Sequence, residues 1–279
     1  MMDHGGRVEE EEEGMLTCFV FEETGGKNEG ITSHQERREI CLNGCGRPTN
    51  VCLCSELPSE PLLTSTQILI LHHPHELRHK LATVPVLSKC LRNCQTIVGR
   101  RLRLGSSPLL DSLYRASVDN PSRPRRAIYL FPGTDSSPSV ELNDWVSLNS
   151  SKEDGISDLV LIVFDGTWKH AKEMVSASLP FLSMFATQVS LNYDTGVEGG
   201  TIFDSDLVLR KEPFHGCMST MEAVARSLRV LEPRGVEIEQ RLISVLRAMV
   251  KFQAGYLKPL KPRPKLAKKG KEVDKNKHL

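Results

Sequence analysis

The chain has 279 residues, an apolar share of 39% and a formal charge of +1, which allows one sizeable packed domain with tails and leaves the net charge silent about partners. No apolar run approaches the roughly 20 residues that span a bilayer, and Met15 to Phe21 is too short and too acidic in its flanks for a secretory signal, so a membrane protein is excluded and an intracellular one, in cytoplasm, nucleus or both, is expected. Eight cysteines in such a compartment are expected as thiols or metal ligands rather than disulfides.

Residues 1 to 32 read as a disordered acidic tail, since residues 1 to 40 hold eleven Asp and Glu against four Lys and Arg. Ser33 can cap a short helix leading to Cys41, and residues 33 to 60 form a Gly- and Pro-rich knuckle. Residues 61 to 257 then alternate strand and helix patterns. Gln67 to His72 is a strand, Glu76 to Cys94 a helix despite Pro85, and Gln95 to Leu104 a strand. Leu109 to Ala116 is a helix, Ala127 to Phe131 a strand and Val140 to Trp145 helical, followed by a polar loop from Ser147 to Gly155. The apolar run Leu159 to Phe164 is a strand buried on both faces, and Thr167 to Ser183 a helix that Pro180 bends or ends. Thr187 to Leu191 is a strand, Asn192 to Gly200 a loop, Leu207 to Leu209 extended, and Ser219 to Leu231 and Val236 to Tyr256 are helices. This alternation specifies an α/β fold with a mainly parallel sheet and helices on both faces. From residue 258 to 279 nine Lys and Arg face two acids, a solvated basic tail.

The exit of the strand ending at Phe164 holds the most chemistry. Asp165 lies at the carboxyl end of a strand and near a helix start, where open parallel sheets keep their ligands; Gly166 permits the turn, and Thr167 caps the next helix. By themselves these residues also admit a structural role, with Asp165 as a cap and Trp168 as packing. Cys41, Cys45, Cys52 and Cys54 supply four thiolates within fourteen residues, a donor set for Zn2+, with buried or redox-active thiols as the other reading. Cys90 and Cys94, one helical turn apart, and Cys217 read as packing residues. His72, His73, His75 and His79 do not form one site, because neighbours at a strand end point to opposite sides; one is expected buried and hydrogen-bonded, the rest in a polar loop, with a role for His73 or His75 near a reacting group as the lesser reading. His170 and His215 stay undecided. Arg78, His79, Lys80, Lys89, Arg92, Arg100, Arg101 and Arg103, with Arg123, Arg125, Arg126 and the basic tail, suit phosphate, and an aromatic share of 5% favours a folded RNA over a stacking platform for single strands.

Asp165-Gly166-Thr167-Trp168 followed by Ala171 resembles the signature of the DTW-domain family. In the same order come Cys41-x3-Cys45-x6-Cys52-x-Cys54, Leu130-Phe131-Pro132-Gly133, and Arg210-Lys211-Glu212-Pro213 leading to Ser219-Thr220-Met221-Glu222-Ala223, so the likeness covers about residues 38 to 257 and is nearest the family's eukaryotic branch. The resemblance implies transfer of the 3-amino-3-carboxypropyl group of S-adenosylmethionine to N3 of a tRNA uridine, in the D-loop region, with release of methylthioadenosine. It implies a catalytic segment of Asp165, Thr167 and Trp168, and a co-substrate cleft formed by Phe131, Pro132, Gly133, Ser219, Thr220 and Glu222. It also implies a SPOUT-like fold with a C-terminal knot, a structural zinc and tRNA as partner. The oligomeric state stays open, a monomer included. Two rivals remain: a SPOUT-like RNA methyltransferase, and a zinc-knuckle RNA-binding protein without catalysis.

Overall fold

A computed structural model describes residues 39–79, 81–122, 125–133, 138–149, 158–191 and 218–256. The two tails, Lys80, Arg123, the segment Arg210 to Pro213, His215 and Cys217 lie outside the described residues, as do the loops expected at 192 to 200 and across most of 147 to 155, and the extended piece at 207 to 209.

Six strands form a single sheet in which every pairing is parallel: β1 (Gln67–His72), β2 (Cys94–Val98), β3 (Ala127–Leu130), β4 (Val140–Glu141), β5 (Val160–Asp165) and β6 (Ala186–Ser190), in the order β2-β1-β5-β3-β6-β4. Both faces are covered, and strand alternation assigns side chains to them. Leu69, Leu71, Tyr129, Ile162 and Phe164 pack with residues of helices α2 (Pro108–Asp119) and α4 (Trp168–Leu182). Ile68, Ile70, Ile128, Leu161 and Val163 pack on the other face with α1 (Val84–Cys90), α3 (Leu142–Asn149), α5 (Thr220–Leu231) and α6 (Gly235–Ala254). The expected α/β architecture is therefore present. The C-terminal knot concerns chain between β6 and α5, and residues 192–217 lie outside the described residues.

Several predicted elements differ, among them the strand expected over Gln95 to Leu104, which ends at Val98. The helix expected over Glu76 to Cys94 is two pieces, a 3-10 segment Pro74–Arg78 and α1, with His79 to Thr83 non-helical apart from Lys80, which is not described. Pro85 explains the break: it lacks the N–H that a helix interior needs and is accommodated in the first turn of α1. Cys94 consequently opens β2 instead of sharing a helix with Cys90. Burial raises the Cys90 thiol to about 12 and the Cys94 thiol to about 11, so both stay protonated and inert, which agrees with a packing role. The helix expected at Val140 begins two residues later, after the short β4. Pro180 lies in the last turn of α4, which ends at Leu182. Among the described residues no helix is long and apolar enough to cross a membrane.

The chain entering β1 is tied to the end of α5 by one carboxylate. Glu232, 8% exposed, accepts from the Ser65 and Thr66 backbone N–H groups at 3.0 and 2.7 Å and from the Ser65 hydroxyl at 2.8 Å. Replacing Glu232 with Ala leaves the buried Thr66 N–H and the part-buried Ser65 N–H without their acceptor, and hydrogen bonds to a charged group contribute about 1.5–3 kcal/mol each. Denaturant unfolding of Glu232→Ala is expected to show a loss of about 2–4 kcal/mol at unchanged m-value.

Candidate functional site

The parallel register sets His72, the last residue of β1, beside Asp165, the last residue of β5. His72 Nδ1 lies 2.6 Å from Asp165 Oδ2, and the Thr220 hydroxyl donates to Asp165 Oδ1. His72 is 2% exposed and Asp165 9%, so a carboxylate largely removed from water has both oxygens engaged by groups fixed in β1 and α5. Thr220 opens α5, where Ser219 Oγ accepts from the Glu222 N–H at 3.2 Å, which places the positive end of a helix near the same carboxylate. On the other side Thr167 Oγ1 caps α4 by accepting from the His170 N–H at 3.3 Å. A Cβ at Gly166 would lie 3.1 Å from His170 Cβ and 3.3 Å from His73 Cβ, so the turn after Asp165 is packed on both sides and favours glycine.

Asp165 borders a cavity of about 280 Å³ at the carboxyl edge of the sheet, where parallel sheets place their ligands. Phe131, Pro132, Thr167, Trp168, Ser219 and Thr220, all singled out in the sequence, line it. The Phe131 and Trp168 rings stand 6.1 Å apart at 59°. Two residues of the expected cleft are not in its wall. Glu222 is 0% exposed and pairs with Arg226 at 3.5 Å, because the third position of α5 points into the helix packing rather than past the helix end. Gly133 makes its close approach to its own loop: a Cβ there would lie 2.7 Å from both the backbone N and the Oγ of Ser139.

Other wall residues escaped sequence reasoning. Leu246, Met249 and Val250 come from α6, and Glu76, His79, Leu81, Ala82 and Thr83 from the break before and into α1. Apart from His79, which the sequence set among the histidines and the basic cluster, their only sequence signals were an apolar helical stripe and Pro85. His72 was recognised as one of a histidine group without being paired to Asp165.

The four cysteines of the knuckle converge. Cys41 and Cys54 sulfurs are 3.5 Å apart, Cys45 and Cys52 sulfurs 3.6 Å, and all four lie within 4.8 Å of one another. Four thiolates about 2.3 Å from one Zn2+ in a tetrahedron would be spaced by roughly 3.8 Å, so the donor set fits that ion. Burial raises the Cys45 thiol, but hydrogen bonds from the Leu53 and Arg47 backbones and from Cys52 and Cys54 outweigh it and bring it down to about 7, toward the thiolate a metal needs. The knuckle is docked on the main core: Cys45 and Leu53 join the buried cluster of α5 and α6, and Arg241 of α6 donates to the Leu57 carbonyl at 3.0 Å.

Among the histidines, His72 and His73 point to different partners, as alternation requires. His72 is the buried, hydrogen-bonded one expected; His73 is buried too, and His75 and His79 are exposed. The basic residues are divided: Arg78, Arg100 and Arg101 are exposed near the edge that holds Asp165, whereas Lys89 and Arg92 precede β2 at the opposite edge.

A family model described as "DTW domain" matches residues 38–254. The chain is 52% identical over 267 residues to "tRNA-uridine aminocarboxypropyltransferase A" of Arabidopsis thaliana, covering 91% of this chain and 95% of that relative. It is 32% identical over 222 residues to "tRNA-uridine aminocarboxypropyltransferase 2" of Mus musculus, covering 79% and 65%. To the protein so named in Drosophila melanogaster it is 30% identical over 224 residues, covering 80% and 79%. No solved structure matches the chain.

A Cβ at Gly44 would lie 2.3 Å from the Cys54 sulfur and 2.9 Å from the Cys41 sulfur. Gly44→Ala is therefore expected to lower zinc content well below that of the unaltered chain, measured by metal analysis after dialysis, and to lower the thermal midpoint because the knuckle packs on α6.

Proposed function

The chain belongs to the DTW-domain family, and from that membership we propose that it transfers the 3-amino-3-carboxypropyl group of S-adenosylmethionine to N3 of a uridine in tRNA, in the D-loop region, leaving methylthioadenosine. The printed names of its relatives in a plant, a mouse and a fly support the enzyme class and the tRNA substrate. Asp165 carries the assignment: its carboxylate borders the cavity and is held there by His72 and Thr220.

The cavity suits the co-substrate. Its walls from Phe131, Leu130, Leu246 and Met249 are apolar enough for adenine, and the N-terminus of α5 at Ser219 and Thr220 offers N–H groups to a carboxylate. When bound, S-adenosylmethionine supplies a sulfonium that activates the carbon of its amino acid arm. Phe131, Pro132, Ser219 and Thr220 would hold it and decide which carbon faces the uridine, since placement rather than intrinsic reactivity selects the bond that breaks. Asp165 accepts the N3 proton of the uracil as the new N–C bond forms, and His72 and Thr220 keep the carboxylate oriented toward that proton. Trp168, half-buried at the cavity wall, offers a face for the base. Arg78, Arg100 and Arg101 at the same edge would meet tRNA phosphates, and Cys41, Cys45, Cys52 and Cys54 would hold a structural zinc. An intracellular place of action follows from the substrate.

Mass analysis of nucleosides from tRNA incubated with the protein and S-adenosylmethionine is expected to show an aminocarboxypropyl group on N3 of uridine with methylthioadenosine as co-product. S-adenosylhomocysteine in its place would mean methyl transfer and overturn the assignment. Asp165→Ala is expected to lower turnover by about 10²–10⁴-fold with far-UV dichroism and tRNA binding retained; a variant with undiminished turnover would make the carboxylate structural. Charge reversal at Arg100 and Arg101 together is expected to raise KM for tRNA and flatten its salt dependence while leaving the affinity for S-adenosylmethionine unchanged.

A further inference from the structure

We propose that His73, His75 and His170 form a second metal site, suited to a divalent ion that accepts imidazole ligands such as Zn2+, behind the Asp165–Gly166 turn and separate from both the cysteine knuckle and the substrate cavity. The three side chains come from three positions the fold brings together. His73 follows β1, His75 lies in the 3-10 segment Pro74–Arg78, and His170 sits in the first turn of α4. One nitrogen from each ring lies within 4.8 Å of the others. None of the three lines the cavity beside Asp165.

Packing alone leaves this cluster unexplained. His170 Nδ1 is buried and has no hydrogen-bond partner, a condition that costs free energy unless something occupies it. Placing three imidazoles together is unfavourable if they charge, and burial together with His170, His75 and Arg100 depresses His73 to about 4, Glu173 opposing. His73 is therefore held in the uncharged form that donates to metals. The donors are nitrogen alone, which selects a borderline ion over Ca2+ or Mg2+, and three histidines leave room for a water or another ligand.

The local backbone is built for the approach. The His73 N–H donates to the Asp165 carbonyl at 2.9 Å, and the absence of a Cβ at Gly166 lets His73 and His170 close over the turn. Their rings are stacked with centroids 3.8 Å apart and planes at 12°, while His75 meets both edge-on at 4.8 and 5.2 Å. A shared ion requires the rings to turn so that their nitrogens converge. The His75 N–H, which donates to His73 Nδ1 at 3.3 Å, places the proton of the neutral His73 ring on Nε2, so ligation through Nε2 requires that proton to move to Nδ1. His75 is exposed, which gives an ion a way in from solvent.

Such an ion would clamp two walls of the substrate cavity from outside. The segment carrying His75 also carries Glu76 and leads to His79, and the helix turn carrying His170 also carries Trp168; all three border the cavity. Occupancy would stiffen the mouth of the cavity without contributing a group to the reaction.

Co2+ added to the metal-stripped full chain tests this without any measure of activity. Two equivalents are expected, one with the intense near-ultraviolet band of thiolate-to-cobalt charge transfer and one with visible ligand-field bands alone. In His75→Ala and His170→Ala the second equivalent is expected to weaken about tenfold or more while the thiolate band keeps its intensity. Binding of a single, thiolate-ligated equivalent overturns the proposal. A second equivalent of unchanged affinity in both variants also overturns it, since the ion would then be held elsewhere, and unchanged thermal midpoints without metal verify that the variants fold.

Discussion

Asp165 is held at the edge of the sheet by two partners that belong to different parts of the chain, and the remaining architecture can be understood as the means of keeping them there. His72 reaches one oxygen because β1 and β5 are parallel neighbours whose last residues are in register. Thr220 reaches the other because α5 begins over the end of β5. A one-residue slip between β1 and β5 would turn His72 or Asp165 to the opposite face and separate them, so the site depends on the sheet's register as firmly as the core does. A carboxylate this far from water needs such partners to stay oriented.

The helical layer formed by α5 and α6 links that carboxylate to the cysteine knuckle. Helix α6 presents Leu246, Met249 and Val250 to the cavity and, two turns earlier, Arg241 to the knuckle's Leu57 carbonyl. Between the helices Glu239 accepts from Arg226 at 3.0 Å and from Arg229 at 2.6 Å, while Glu222 pairs with Arg226. These charges are mostly buried and mutually compensated, a condition under which removing one member costs more than the pair contributes. The knuckle is thus a buttress for α6 rather than a separate module.

Much of the site was legible because local chemistry produced it. The apolar run of β5 followed by Asp165, Gly166 and Thr167 encodes a buried strand, a tight turn and a helix cap within a few residues, and each takes that form. The four cysteines were legible for the same reason, since all lie on a short stretch that Gly44 and Gly46 allow to fold back, Gly46 with φ +72°. Where chain-order reasoning failed, a local rule met a competing constraint. Pro85 overrode the helical periodicity between Glu76 and Cys94, and the unwound backbone it leaves became a wall of the cavity. Glu222, which the family resemblance placed in the co-substrate cleft, sits at the third position of α5 and is turned toward Arg226.

The sequence by itself determined the fold class, nearly every strand, the helix caps at Thr167 and Ser219, the cysteine cluster and the identity of the central carboxylate, because each is set by interactions spanning a few residues. Only the tertiary structure decided that His72 partners Asp165 across 93 residues of sequence, that α6 closes the cavity, and that His170 joins His73 and His75. Strand order and the docking of helices bring these groups together, and both come from burying apolar surface over the whole domain. No period or spacing along the chain records which distant face a given strand end will meet.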